Sequence, residues 1–388
     1  MTWSIRRLFS RILTRRRKPV LHRARLDLFE MERRCVPAVT AVFDANQHTL
    51  AVVGTALSDN VVLSRDAGEH ILLNGQLTGA KLANTDTITV FTGDSNDAVT
   101  IDFTNGLFVH TNGEEVKIQI DGGGPDHDNF ILKGTKGDDH IDLGTADNIP
   151  VADINDDGDI DITMLNMDEF RIYGQDGNDV LNAGGKPGES TPSNTGIALY
   201  GGAGDDWTVG GAAITTHEGG AGNDTMVGGS SLDRYFFSGG NLGSDTITDT
   251  PGQNNTLVFG TLAASGEPDF AGPVTVDLGN STAQIVNPQH LTLTLAGVDN
   301  VIGTEFADKI AGNGDGNVLY GLGGNDTITG AGGGDLIYGG NGNDALDGDG
   351  SLTQRIDGDD RIEGGNGSDV ILGRGGNDTL LEIGRAHV

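Results

Sequence analysis

Cysteine is all but missing from these 388 residues. Cys35 stands alone, so no disulfide can form within the chain. Aromatic residues make up only 5 %, and Trp3 and Trp207 by themselves offer no stacking platform for a sugar. Lys and Arg are scarce, 24 against 56 Asp and Glu, which leaves a formal net charge of −32. A surface of that sign is a poor partner for nucleic acid, whose phosphates are held by Lys and Arg. No stretch approaches the ~20 consecutive apolar residues of a membrane-spanning helix, so no transmembrane segment is expected. Catalytic signatures are missing as well. His217-Glu218 is followed by GGAGN, without the second His of a zincin helix, and no Ser stands in G-x-S-x-G. Paired acids abound, but in Gly-rich turns they read as cation ligands or solvated groups, and no enzyme is expected.

What the chain does have is glycine, 63 residues of it, and acid that is unevenly spread. Residues 1–36 carry 11 Lys/Arg against 3 Asp/Glu, whereas the remainder carries 13 against 53. A chain so imbalanced repels itself unless something neutralises it. Residues 303–381 alone hold 14 acidic and 4 basic side chains, a difference that about five divalent ions would balance. In an exported chain without disulfides, bound metal can do the stapling.

The stretch 303–381 counts in nines. Blocks begin at 303, 312, 321, 330 and 339, pause over GDGSLTQ at 348–354, and resume at 355, 364 and 373. Their shared pattern is G-G-x-G-x-D-x-U-x, with U a large aliphatic residue: Ile310, Leu319, Ile328, Ile337, Leu346, Ile362, Ile371 and Leu380. Such repeats specify architecture before any single residue does. Glycine permits the positive φ of a tight turn, and the Asp adds a carboxylate to the carbonyls converging there. The closing x-U-x is a strand with only U facing inward. Two nonapeptides make one coil of 18 residues, so Asp308, Asp326 and Asp344 fall in one column. Ca²⁺ takes roughly six to eight oxygen ligands. One turn supplies about half of these, so an ion would sit between successive turns.

These blocks, with the approach segment LTLAGVDNVIGTEFADKIAGNGDGNVLYGLGGNDTITG at 293–330, resemble the hemolysin-type calcium-binding repeat, or RTX family. The resemblance implies an all-β fold, a parallel β-roll or β-solenoid, with Ca²⁺ as the bound ion. It points to Asp308, Asp326, Asp335, Asp344, Asp360, Asp369 and Asp378 as metal ligands. Degenerate units run through 134–250: GTKGDDHID, GQDGNDVLN, GGAGDDWTV, GGAGNDTMV, GGSSLDRYF and GNLGSDTIT. They add Asp139, Asp179, Asp206, Asp224, Asp233 and Asp245. Thr215 stands where an Asp is due, so one column is expected to break there. Residues 39–133 read as solenoid strands, 183–199 as a loop-rich insert, and 251–302 as a β region outside the repeat. A second calcium candidate is DINDDGDID at 153–161, where Asp153, Asn155, Asp157 and Asp161 have the spacing of an EF-hand-like loop. Its twelfth place is Met164 instead of an acid, and no helix pattern flanks it.

Two functional classes follow. One is a calcium-binding extracellular or cell-surface protein with a structural or adhesive role, its partners being calcium and cell-surface or matrix components. The other is the repeat portion of an exported protease or lipase that continues beyond this sequence. The ends bear on the choice. WSIRRLFSRILTRRRKPV at 3–20 lacks the apolar run of a secretory signal. LDLFEMERRCVPA at 26–38 resembles the L-x-x-LE-x-R-x-x-PA leader of large bacterial surface proteins, with Glu30 and Glu32 shifting the pattern. A basic arm that binds membrane or nucleic acid without specificity is the other reading of 1–38.

The last seven residues, EIGRAHV, fit neither the period nor the composition of the repeat and match the translation of a common sequencing adapter. They are expected to add nothing to the fold. Deleting Glu382 to Val388 should therefore leave the midpoint of the calcium-dependent folding transition unchanged. A lower stability of the deletion variant would mark the heptapeptide as a genuine cap.

Overall fold

The computed structural model describes residues 39–185, 196–260, 270–350 and 358–382. The leader at 1–38, most of the insert at 183–199, part of the interruption at 348–354 and the terminal residues from 383 lie outside the described residues. Among the described residues the only helical element is the 3₁₀ turn Leu82–Asn84; the other regular elements are strands. They are short because a Gly-rich turn arrives every nine residues. In the C-terminal part successive strands alternate between two sheets. Val318–Gly323 and Leu336–Asn341 lie in a fifteen-stranded sheet, and Thr327–Thr329 and Ala345–Asp347 in a five-stranded one. The pairing is parallel, Leu319 opposite Ile337 and Ile328 opposite Leu346. Each coil thus takes 18 residues, and the chain forms a parallel β-roll.

The period also sets the core. Val276, Ile310, Ile328 and Leu346 stack from coil to coil on one side, and Val301, Leu319, Ile337 and Ile362 on the other. All eight are buried. Ile371 is only partly covered and Leu380 is 47 % exposed, because they belong to the last described coil. The apolar interior falls into two clusters, one ending at Leu199 and one starting at Met226. Between them Thr208, Thr215 and His217 occupy inward places. His217 exchanges a 2.8 Å hydrogen bond with the Thr208 hydroxyl through Nδ1 and stacks on Tyr235 at 5.0 Å. Burial pushes its imidazole down to about 3, so it is neutral here.

Departures from parallel winding occur where turn chemistry favours a hairpin. Within 39–133, read from sequence as solenoid strands throughout, the run HILLNG at 70–75 is not a further rung. His70–Leu73 pairs antiparallel with Asn60–Arg65 and with Gln76–Lys81. Asn74 and Gly75 both hold positive φ at the second of these turns, and Asn-Gly is the strongest short-range hairpin signal. Together with Thr40–Asp44 on Thr49–Val53, these strands cover the first edges of the two sheets, which would otherwise offer unpaired backbone. Asp147 and Asn148, also at positive φ, turn His140–Ala146 back onto Ile149–Asp153. The segment 153–161 is the loop that follows, leading into Ile162–Leu165. At 251–302 one side changes sheet. Gln284–Asn287 ends the thirteen-stranded sheet by antiparallel pairing, and Thr275–Asp277 starts the five-stranded one, while the fifteen-stranded sheet runs on without interruption.

Ile337 is fully buried mid-stack, so Ile337→Ala should cost the calcium-loaded protein about 2–5 kcal/mol in denaturant unfolding. Leu380→Ala, at the half-exposed end, should cost under ~1 kcal/mol. Equal costs would contradict the stacked core.

Candidate metal centres

Each repeat aspartate of the C-terminal array immediately precedes the strand x-U-x, and its backbone N–H faces the next coil. That N–H donates to Oδ1 of the aspartate one coil later. Asp308 donates to Asp326 at 2.8 Å, Asp326 to Asp344 and Asp344 to Asp369, both at 2.9 Å. On the opposite side Asn317 donates to Asp335, Asp335 to Asp360 and Asp360 to Asp378 at 2.8–3.1 Å. The seven-residue interruption lengthens both spacings from 18 to 25 without breaking either column. In the first half Asp139, Asp179, Asp206, Asp224 and Asp245 form a third column, linked at 2.7–2.9 Å. Asp233 belongs to a fourth. It accepts from Thr215, and its own N–H donates to Asn255, whose N–H donates to Asp299. Thr215 therefore starts that column, with no carboxylate of its own.

The second oxygen decides the chemistry. Oδ2 of Asp179, Asp206, Asp224, Asp326, Asp335, Asp344, Asp360 and Asp369 is buried with no hydrogen-bond partner. A buried carboxylate oxygen left in that state is costly unless a cation meets it. The glycine five places earlier makes the room. A Cβ on Gly321 would collide with Asp326 Oδ2 and the Gly339 carbonyl, and one on Gly330 with Asp335 Oδ2 and the Gly348 carbonyl. Each such cradle brings together a carboxylate oxygen and a carbonyl oxygen of the next coil, a hard all-oxygen set that suits Ca²⁺. Burial also pushes the carboxyls up, with neighbouring column carboxylates adding to the effect. They reach about 7 at Asp179, Asp206, Asp326 and Asp335. Asp224 is pushed to about 6 and Asp245 to about 8.

A family model described as the RTX calcium-binding nonapeptide repeat (4 copies) matches residues 171–185, 199–214, 218–247, 294–328, 320–351 and 357–381. The chain carries RTX calcium-binding repeats. The matches cover the third column from Asp179 to Asp245, Asp233 and Asp299 of the fourth, and both columns of the C-terminal RTX array. The residues fit the ion that the RTX family implies, because their orphaned oxygens and glycine cradles are what a hard cation needs. A comparison with curated proteins returns no match.

Of Asp153, Asn155, Asp157 and Asp161, Asp161 stands in a cluster of acidic oxygens with Glu115 and Asp159, within 4.8 Å of one another. Asp153 accepts the N–H of Asn155 and of Gly158, and Asn155 Oδ1 accepts that of Asp157. Asp161 accepts the Ile154 N–H at 2.9 Å and the Lys117 ammonium at 2.8 Å. Lys117 is also paired with Asp159 and Glu115, so an ammonium already stands among the carboxylates that do converge there. Met164, in the twelfth place, is a core residue.

Residues outside the sequence-based set also stand in columns. Asp59 donates its N–H to Asp97, Asp97 to Asp128 and Asp128 to Asp168, at 2.7–3.0 Å. Their spacings of 38, 31 and 40 residues hide them from a search for eighteens. The local signal is present nonetheless: Asp59-Asn60-Val61, Asp97-Ala98-Val99 and Asp128-Asn129-Phe130 each read D-x-U behind a glycine.

The raised carboxyls give a pH dependence. A group whose folded value lies above its unfolded one, ordinarily about 3.9 for Asp, contributes stability that is complete below the unfolded value and lost as pH rises through the folded one. His217 acts in the opposite sense, and only below its unfolded value of about 6.5. In calcium-free buffer the β-type circular dichroism should therefore increase as pH falls from 8 to 6.5. A decrease over that interval would contradict burial of the carboxylates.

Proposed function

We propose that the chain is a calcium-loaded β-roll that works outside the cell, as a structural or adhesive surface element and not as an enzyme. The observation that carries the reading is the run of buried Oδ2 atoms with no protein donor, repeated from coil to coil. A site made of one carboxylate per turn and backbone carbonyls is soft in geometry and modest in charge. Extracellular calcium modules of that kind bind at roughly 10⁻⁴–10⁻³ M, a range met outside cells. The formal charge of −32 favours a protein whose fold waits for cations. The basic leader at 1–38 and the family resemblance support export, and no described helix is long and apolar enough to cross a membrane. His217-Glu218 supports a non-catalytic role, since the imidazole is stacked inside the roll and the Glu218 carboxylate accepts from Ser238. The partner would then be a surface or matrix component, engaged by a rod that calcium stiffens.

Binding energy at such turns becomes folding energy, because the site does not exist in the unfolded chain. Adding millimolar Ca²⁺ should raise the β-type circular dichroism and lower the hydrodynamic radius of residues 39–382. A chelated sample that is already compact and β-rich would overturn the reading.

A further inference from the structure

The aspartate turns are of two kinds, and the backbone shortly before each aspartate separates them. Thr135 and Thr304 stand four places before Asp139 and Asp308. Each donates its backbone N–H to Oδ2, at 2.6 Å and 2.7 Å, and its hydroxyl to the same carboxylate. Thr55 closes the turn of Asp59 in the same way, and the N–H of Gly229 closes that of Asp233. In the turns of Asp206, Asp224, Asp326, Asp335 and Asp344 the residue four places back has φ between 76° and 114°. There the N–H is turned away, that of Ala331 going to the Gly348 carbonyl, and Oδ2 is left without a donor. Leu322 and Ala331 hold this left-handed conformation although neither is glycine, a strained choice for an L-residue.

We propose that the closed turns are metal-free heads and that calcium is confined to the open turns. This rests on the calcium reading above and divides its sites. Position agrees with chemistry. Asp139 heads the run Asp179, Asp206, Asp224, and Asp308 heads Asp326 and Asp344. The residue before Asp308 in its column is Val274, which donates its N–H to Asp308 but has no carboxylate to offer. An ion on that side would lack ligands from the preceding coil, and the N–H and hydroxyl of Thr304 take its place.

The open state also occurs before the matched repeats. Asp128 is fully buried, one oxygen accepts the Asp97 N–H, and Oδ2 has no donor. The positive φ lies one place earlier, at Gly123, and a Cβ on Gly122 would meet Asp128 Oδ2 together with the Asn166 carbonyl. The division therefore assigns a calcium ion to the turn of Asp128, outside the matched segments.

The test is to count bound calcium on the full chain by equilibrium dialysis with metal analysis. Asp326→Asn and Asp128→Asn should each lose at least one ion, and Asp308→Asn and Asp139→Asn none. Leu322→Thr, which converts an open turn to a closed one and removes no carboxylate, should also lose one. Loss from Asp308→Asn equal to that from Asp326→Asn, or no loss from Asp128→Asn, overturns the division while leaving the calcium reading intact. Wild-type protein that binds no calcium overturns both. Lanthanide anomalous scattering from wild-type crystals needs no variant to fold. Peaks should lie beside Asp128 and Asp326 and not beside Asp139 or Asp308, and the reverse pattern overturns the division.

Discussion

One hydrogen bond recurs through the whole roll: the backbone N–H of an aspartate donates to a carboxylate oxygen of the aspartate one coil on. It fixes each side chain at the mouth of its turn and thereby fixes where the other oxygen must be. That second oxygen is buried beside glycine and a carbonyl with no protein donor, a position whose charge a cation can balance. The cost of stacking like charges in register is thus built into the same contact that sets the register. A fold of this kind is stable only together with whatever neutralises the column.

The energetics are nearly one-dimensional. Each coil contributes one aliphatic layer and one pair of turns, and it rests only on its neighbours. Two consequences are visible. The final described coil leaves Leu380 half exposed, and the break in the apolar core at Thr208, Thr215 and His217 divides the interior into two separate clusters. The fifteen-stranded sheet spans that break, so backbone pairing continues where the apolar clusters do not.

The C-terminal columns were legible in the sequence because every role in the nonapeptide is local. Gly321 makes room for Asp326, Asp326 ties to Asp344, and Ile328 faces inward, all within one period. Where rungs are separated by unequal connections that legibility fails. Asn255 and Asp299 sit in a column 22 and 44 residues from their predecessors, and 251–302 showed no period although the ladder passes through it. Asp97 and Asp128 were missed for the same reason. The hairpin at Asn74-Gly75 has a local signal in that dipeptide, which the reading of 39–133 as uniform solenoid strands does not use. The loop at 153–161 has the ligand spacing of a calcium site, yet spacing says nothing of Lys117, which arrives from a strand 44 residues before Asp161 and supplies the positive charge.

Whether the aspartate ladder needs the ion is open to a direct measurement. Hydrogen exchange of the backbone amides of Asp308, Asp326, Asp335 and Asp344 reads that contact directly, since these are the donors to the next carboxylate. In saturating Ca²⁺ the four amides should exchange slowly and together, and after chelation they should exchange at rates close to those of an unfolded chain. Equal protection with and without calcium would show that the columns hold themselves, and the account would be wrong.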